Sequence, residues 1–571
     1  MSRLPGVSPF PPEYAARYRA AGYWEDRPLG DFYDEVFSSH GSRVALVHGD
    51  ETVSYAELRH RVERLARHLL ELGVHTLDRF VMQLPNIPEF VYLYFALQRV
   101  GAIPIMALAS HRWNEISAFV ELAQARGYIA PGHQGDFDYA GLACSLVARF
   151  PALDLVLATG DAFAGAVSIT ELLGRDPATP VAALEEVAVD PDEPCIMQLS
   201  GGTTGVPKLI PRTHNDYLYN TKAAVAVNDV RPDDCLLVTL PIAHNFPLAC
   251  PGISGFFMRG ARVVLSNSTR PDDILALVER ERVTHLELVP ALLIRCNNSN
   301  SVATRDLSSL RVINTGGQKL QPEVKRRAEA LIPSCLVQEV FGMAEGLLCF
   351  VRLYDPPEVR HVTVGRPVCR DDELLLVDDE GRVVPDGEIG ELLVRGPYTL
   401  RGYYGVPEYN ARTFTHDGFY RSGDLMRRHP SGNYVVEGRK KDLINRGGEK
   451  ISAEEVENLM LSHPAVLNVA CVPMPDPVLG ERMCAFVIPR EGHRLSLDGL
   501  TGFLTERGLA RFKLPERLEL VDELPLSKFG KVAKNVLSER AAEKGAPARS
   551  DHPDPQRKPP VAATARRWRR S

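Results

Sequence analysis

This 571-residue sequence predicts an α/β fold carrying a second, smaller α+β unit at its C-terminal end, on three observations. Short apolar runs alternate with helical patterns along most of the chain. Proline and glycine are spread throughout, so they punctuate many short elements instead of forming one low-complexity tract. Near residue 440 the character changes. Charged, glycine-rich stretches (Arg439-Lys440-Lys441-Asp442 and Arg446-Gly447-Gly448-Glu449-Lys450) precede a compact pattern of about 100 residues, enough for a separate domain.

The elements follow in chain order. Ser54-Tyr55-Ala56-Glu57 reads as a capping box. Leu58, Val62, Leu65 and Leu69 then form one apolar stripe, and Gly73 closes the helix. Cys195-Ile196-Met197-Gln198-Leu199, Val263-Val264-Leu265 and Leu374-Leu375-Leu376-Val377 read as buried strands. In the C-terminal unit, Ser452-Ala453-Glu454-Glu455 caps a helix. Strands are expected near Val466–Val472, Cys484–Ile488 and Leu518–Val521, with a helix near Leu497–Glu506. From Gly545 the chain holds five prolines and ends in Arg566-Arg567-Trp568-Arg569-Arg570, which reads as a disordered basic tail. No internal repeat is visible.

Composition narrows the function. At roughly 100–200 residues per domain, the length allows two to five domains or subdomains. With 44% hydrophobic and 24% charged residues, the chain has ample core material. A net charge of −7 argues against bulk nucleic-acid binding. The ten cysteines are isolated, with no Cys-x-x-Cys pair or clustered histidines, so reduced thiols in a cytoplasm fit better than a zinc site or disulfide framework. Met1-Ser2-Arg3-Leu4-Pro5 lacks a signal-peptide core. The longest apolar run, Val91 to Ala109, is broken by Gln98, Arg99, Gly101 and Pro104, so no membrane span is expected.

Most of the chemistry is concentrated at Ser200-Gly201-Gly202-Thr203-Thr204-Gly205-Val206-Pro207-Lys208. Glycines let backbone N–H groups turn toward a phosphate, the hydroxyls add donors, and Lys208 adds charge. The spacing is not that of a Walker A loop, because Pro207 precedes the lysine and Leu209 follows it. Alone, such a stretch also fits a flexible surface loop. Further motifs accompany it in order: Ala243-His244-Asn245-Phe246-Pro247, Asn314-Thr315-Gly316-Gly317 and Phe341-Gly342-Met343-Ala344-Glu345-Gly346, then Tyr420-Arg421-Ser422-Gly423-Asp424, Gly438-Arg439-Lys440-Lys441-Asp442 and Gly530-Lys531.

Together these motifs resemble the adenylate-forming (ANL) superfamily, and within it the stand-alone aryl-acid AMP ligases of siderophore synthesis, from about Phe10 to Ala541. The resemblance implies a large multi-subdomain N-terminal AMP-binding domain (1–438), a hinge (439–443), a small mobile α+β C-terminal lid (444–544) and a basic tail (545–571). It implies that a carboxylic acid and MgATP give an acyl-adenylate and pyrophosphate, after which a phosphopantetheine thiol takes the acyl group.

The resemblance also implies roles. Lys531 is the catalytic lysine, bridging carboxylate and α-phosphate, and Glu345 is the Mg²⁺ ligand. Ser200, Gly201, Gly202, Thr203, Thr204, Gly205 and Lys208 cradle ATP phosphates. Asp424 holds the ribose hydroxyls with help from Arg439, although these two also suit a structural ion pair. Gly316, Gly317 and Val340 lie against the adenine and aryl rings. Lys441 is the hinge, Gly447 and Gly448 line a pantetheine tunnel, and His244 acts more as a steric gate than as a proton carrier. Lysine, glutamate and glycine at such positions also serve as ordinary surface or turn residues.

The aryl pocket implied by the resemblance comprises Asn245, Phe246, Cys250, Gly316, Val340 and Leu348. Relatives taking 2,3-dihydroxybenzoate tend to have Ser and Val where this chain has Cys250 and Leu348, and relatives taking salicylate tend to have Cys and Leu. Physics agrees, since serine can bond a 3-hydroxyl whereas cysteine is a weak partner. Salicylate is therefore expected over 2,3-dihydroxybenzoate, although Cys349 replaces an expected Asn at the pocket rim. No carrier attachment site is visible in the C-terminal region. The expected acceptor is a holo aryl carrier protein, or a carrier domain of a peptide synthetase, in trans. Coenzyme A remains the alternative.

Overall fold

The computed structural model describes residues 4–200, 208–440, 443–446, 449–476, 479–507, 509, 511–526 and 531–545. Two large sheets make up the first part of the chain. In the nine-stranded sheet the spatial order is Arg366–Pro367, Gly346–Phe350, Leu336–Met343, Val312–Gly316, His285–Leu288, Cys235–Val238, Arg262–Leu265, Val44–His48, Glu51–Ser54. Its six central strands are parallel, and the strands outside them turn antiparallel. The seven-stranded sheet runs Val167–Ser168, Leu155–Thr159, Gly127–Pro131, Arg79–Gln83, Ile103–Ala107, Pro194–Leu199, Leu209–Thr213. Strands buried on both faces explain the unbroken apolar runs of the sequence, as parallel sheets with helices on either side require.

A four-stranded antiparallel sheet follows (Glu373–Val377, Gly390–Arg395, Tyr420–Arg428, Tyr434–Arg439), and then the C-terminal sheet. The latter orders Glu449–Ser452, Leu443–Arg446, Gly480–Pro489 and Val466–Asp476, with Arg517–Leu520 alongside Gly480–Pro489. Helices Ala453–Leu461, Leu497–Glu506 and Lys534–Gly545 complete that unit. Ile444, Val456, Met460, Cys471, Val487 and Leu500 form part of its own core.

Local readings from the sequence fare as follows. The early helix spans Tyr55–Glu71, Ser54 accepts a hydrogen bond from the Glu57 N–H at 3.2 Å, and Gly73 adopts φ +72°. The second arm of the expected capping box is replaced: the Glu57 carboxylate pairs with Arg61 one turn on, because a guanidinium competes better than a lone N–H. Leu374, Leu375 and Leu376 form a strand as expected, but they are only half-buried, since they lie on the outer strand of the four-stranded sheet. Ser452 caps Ala453–Leu461 through the Glu455 N–H, while the Glu455 carboxylate goes to Lys513 at 2.6 Å. The run Val91 to Ala109 divides into helix Pro88–Arg99 and strand Ile103–Ala107. Among the described residues no helix is long and apolar enough to cross a membrane. The tail beyond Gly545, the last residue of its helix, lies outside the described residues.

Candidate active site

The glycine/threonine stretch joins two antiparallel strands, Pro194–Leu199 and Leu209–Thr213. Its neck is tied twice: the Ser200 N–H donates to the Lys208 carbonyl and the Lys208 N–H donates to Ser200 Oγ, both at 2.9 Å. Gly201, Gly202, Thr203, Thr204 and Gly205 lie outside the described residues. The Lys208 ammonium sits 4.0 Å from the centroid of the Tyr409 ring, a cation–π contact at the loop's base.

Arg212, four residues past Lys208, is wholly buried. Its Nε donates to Asp216 Oδ1 at 2.7 Å, and its Nη1 donates to the Ala344 carbonyl at 2.9 Å. This guanidinium therefore fastens the strand after the loop to the residue preceding Glu345. Glu345 is buried and its Oε1 accepts from Tyr403 Oη at 2.7 Å; Tyr403 Oη lies 3.0 Å from Tyr420 Oη. A hard cation such as Mg²⁺ takes one or two protein carboxylates and completes its shell with phosphate oxygens and water. The donor set fits that pattern, with one oriented carboxylate and, among the described residues, no cluster of three or more acidic, histidine or cysteine ligands.

Asp424 and Arg439 are partners on neighbouring strands, and Arg439 Nε donates to Asp424 Oδ1 at 2.8 Å. Asp424 is buried while the arginine side chain is 41% exposed, so the pair presents a buried carboxylate beside a partly exposed cation. The hinge interval 439–443 lies between Tyr434–Arg439 and Leu443–Arg446; Lys441, Gly447 and Gly448 fall outside the described residues.

Lys531, on the C-terminal unit, reaches the large sheets. A Cβ placed on Gly317 (φ +88°) would lie 3.4 Å from Lys531 Cε. Burial lowers the His244 pKa to about 4, with the Lys531 ammonium acting in the same direction. His244 Nδ1 accepts from the Phe246 N–H at 3.3 Å, so the neutral ring carries its proton on Nε2. His244, Gly317 and Lys531 thus lie close together although 287 positions separate the first from the last.

The expected aryl-pocket residues also converge. Phe246, Cys250, Val340 and Leu348 belong to one buried cluster with Ala224, Phe350, Cys369 and Tyr398. Asn245 is clamped: its Oδ1 accepts from Tyr217 Oη at 2.8 Å and its Nδ2 donates to Cys250 Sγ at 3.3 Å. A Cβ on Gly316 would lie 2.7 Å from both Val340 Cγ1 and its carbonyl oxygen, so only glycine lets these two strands lie together as they do here. Leu348 is held by its N–H, which donates to Tyr398 Oη at 3.1 Å; Tyr398 in turn donates to Asp372 Oδ2 at 2.6 Å.

Burial pushes the Asp372 carboxyl up to about 8. Against an ordinary unfolded value near 4, the folded state retains a proton that the unfolded state loses. Its stabilisation is full below pH 4 and is lost as pH rises through about 8. Asp372→Asn is therefore expected to flatten the fall in melting temperature between pH 5 and pH 8, measured by thermal scans across that range.

Tyr403, Tyr217, Arg212, Tyr398 and Asp372 were not singled out by the sequence. The only local signal was the pair Arg212/Asp216, four residues apart across the start of helix His214–Asn228.

Residues 33–404 match the AMP-binding enzyme family and residues 455–531 the AMP-binding enzyme C-terminal domain. The chain therefore belongs to the AMP-binding enzymes. Within them it is an adenylating ligase. It is similar to the salicylyl-CoA synthase / salicylate adenylyltransferase of Streptomyces sp (47% identity, covering 93% of this chain and 97% of that one). It is also similar to the 2,3-dihydroxybenzoate-AMP ligase of Bacillus subtilis (strain 168), at 46% identity over 95% and 98% of the two chains. Among solved structures, apo MbtA of Mycobacterium smegmatis superposes with a TM-score of 0.72 at 41% identity, over 95% and 100%.

Proposed function

We propose that this enzyme is a salicylate–AMP ligase. It joins an aryl acid to AMP with release of pyrophosphate, then passes the acyl group to the phosphopantetheine thiol of an aryl carrier protein, or a peptide-synthetase carrier domain, acting in trans. The observation that carries this reading is the meeting of Lys531 with Gly317 beside a buried, apolar pocket closed by Asn245, Cys250 and Leu348.

The chemistry follows from charge. A carboxylate attacking the α-phosphate brings two anions together, so the enzyme positions them and neutralises them. In this reading the Lys531 ammonium meets both the acid and the phosphate and stabilises charge as the P–O bond to pyrophosphate breaks. Asn245, oriented by Tyr217, faces the ortho-hydroxyl with an amide whose rotamer is already fixed. His244, neutral across the physiological range, acts as a wall and not as a proton carrier. Asp424 receives the ribose hydroxyls, Arg439 assists, and Ser200, Lys208 and the intervening loop take the phosphates. Mg²⁺, when bound, is held by Glu345 and offsets phosphate charge. Lys441 serves as the pivot on which the 444–544 lid turns for thiol transfer, and Gly447 and Gly448 leave room for pantetheine.

Salicylate is favoured over 2,3-dihydroxybenzoate because the Cys250 sulfur already takes Asn245 Nδ2 at 3.3 Å and Asn220 Nδ2 at 3.7 Å. A 3-hydroxyl finds no oxygen there. The double change Cys250→Ser with Leu348→Val is expected to raise kcat/KM for 2,3-dihydroxybenzoate relative to salicylate by roughly 5- to 150-fold, the worth of pairing one buried hydroxyl. Competition assays with both acids measure it.

A coenzyme A acceptor is the second reading, favoured by the double name of the Streptomyces relative. Both acceptors end in the same thiol, so the test is product formation on coenzyme A against holo carrier protein at equal concentration. Faster loading of the carrier protein supports the first reading, and exclusive thioester formation on coenzyme A replaces it. Ten unpaired cysteines, nine of them buried, suit a reducing compartment, and we place the enzyme in the cytoplasm.

A further inference from the structure

The loop that carries Gly317 faces the C-terminal unit at a second place. Two residues past Gly317, Lys319 Nζ donates to the Val436 carbonyl at 2.5 Å, on strand Tyr434–Arg439. The C-terminal unit docks on that same strand. Ser452, which caps helix Ala453–Leu461, donates its hydroxyl to the Glu437 carbonyl at 2.6 Å. A Cβ on Gly438 would lie 3.7 Å from Glu454 Oε2, so this carboxylate, in the first turn of the helix, rests against the last residues before the hinge interval.

Glu454 keeps part of its surface exposed, yet burial around its carboxyl pushes it up to about 7. Four charged groups face it. Lys319, from the Gly317 loop, and Lys534, on helix Lys534–Gly545, favour its anion; Glu457, on its own helix, and Glu339, on strand Leu336–Met343, oppose it. Three of the four are engaged with other partners. Glu457 Oε1 takes Lys534 Nζ at 2.6 Å, while Glu339 pairs with Lys325 and accepts from the Leu320 N–H at 2.8 Å. Lys319 is the stronger of the two favourable charges. A further contact between the two parts, Arg490 Nη1 to Asn298 Oδ1 at 3.0 Å, is exposed and set against the like charge of Arg327.

A carboxyl that sits near 7 when docked and near its ordinary 4.5 when free takes up a proton on docking. Its contribution to the docked pose is complete below pH 4.5 and is lost as pH rises through about 7. At neutral pH the enclosed carboxylate therefore loosens the pose, and the Lys319 ammonium offsets part of that cost.

Resting on the reading of 439–443 as a hinge and of Lys531 as the adenylation lysine, we propose that Lys319 and Glu454 are positioning residues that set how firmly the C-terminal unit docks in the pose that brings Lys531 to Gly317. Lys319 couples the substrate loop to the docked unit, and turning of the unit returns the Glu454 carboxylate to solvent. Both residues act through Lys531.

The test separates the two half-reactions in the full-length chain: salicylate-dependent ATP–pyrophosphate exchange, and thioester formation from preformed salicyl-adenylate with coenzyme A and with holo aryl carrier protein. Lys319→Met is expected to lower exchange about tenfold, the worth of one pKa unit of lost counter-charge, and to leave thioester formation within a few-fold of the wild type. Glu454→Gln is expected to keep exchange at or above the wild-type level at pH 7.5. It is also expected to remove the fall in exchange, relative to thioester formation, that the wild type shows between pH 5 and pH 7. Lys319→Met combined with Glu454→Gln is expected to return exchange to within about twofold of Glu454→Gln alone, because a neutral amide needs no counter-charge. A double variant as weak as Lys319→Met overturns the coupling and leaves Lys319 serving the Val436 carbonyl only. Equal losses in both half-reactions for Lys319→Met overturn it too, since they mark a purely structural role. Wild-type exchange that Lys319→Met leaves unchanged sinks this inference alone. No exchange by the wild type with any hydroxybenzoate sinks the ligase reading, and the inference falls with it.

Discussion

Replacing Lys531 with alanine is expected to lower salicylate-dependent ATP–pyrophosphate exchange by roughly 10²- to 10³-fold, the usual cost of removing one preorganised charge from a transition state. The loss is expected in kcat, since the ammonium matters most as charge shifts onto the departing pyrophosphate. The second half-reaction provides the control. Thiol transfer needs no attack on phosphorus, so Lys531→Ala supplied with preformed salicyl-adenylate is expected to load an acceptor within a few-fold of the wild type. Equal losses in both halves would mean that the lysine only holds the C-terminal unit in place. His244 gives an independent reading of the same contact. Because the Lys531 charge helps lower its pKa to about 4, Lys531→Ala is expected to move that titration upward, visible by NMR of the ring protons.

Asp216→Ala is expected to be the most damaging change for stability. It leaves the Arg212 guanidinium, which is wholly buried, without its counter-charge, and such orphaned charges cost about 3–5 kcal/mol. Asp216 Oδ2 also accepts from the Thr213 N–H at 2.8 Å, capping helix His214–Asn228, so the same change frays that helix. A large drop in the denaturant midpoint of the N-terminal sheets checks it. Exchange activity is expected to fall well below the melting temperature, because Arg212 ties the strand after the phosphate loop to Ala344 beside Glu345. A variant as stable as the wild type would show that Arg212 finds water or another partner.

These two predictions differ in how much of them the sequence disclosed. Lys531 and Glu345 were recognisable from motifs, and helix Leu497–Glu506 from its pattern, because a motif or a period is local information. The partners were not recognisable. Tyr403 reaches Glu345 across 58 positions, Tyr217 reaches Asn245 across 28, and Lys531 approaches Gly317 from the C-terminal unit. Such contacts depend on how strands are ordered, and no periodicity encodes that order. The loop at Ser200 was legible as a turn, but not as the tip of an antiparallel pair within an otherwise parallel sheet.

The most direct measurement of the central claim is ATP–pyrophosphate exchange by the purified full-length chain with salicylate as the only acid, alongside benzoate lacking the ortho-hydroxyl and an aliphatic acid of similar size. Exchange that depends on salicylate, weakens with benzoate and is absent with the aliphatic acid is the predicted result. Exchange driven equally by the aliphatic acid, or by none of the three, would contradict it.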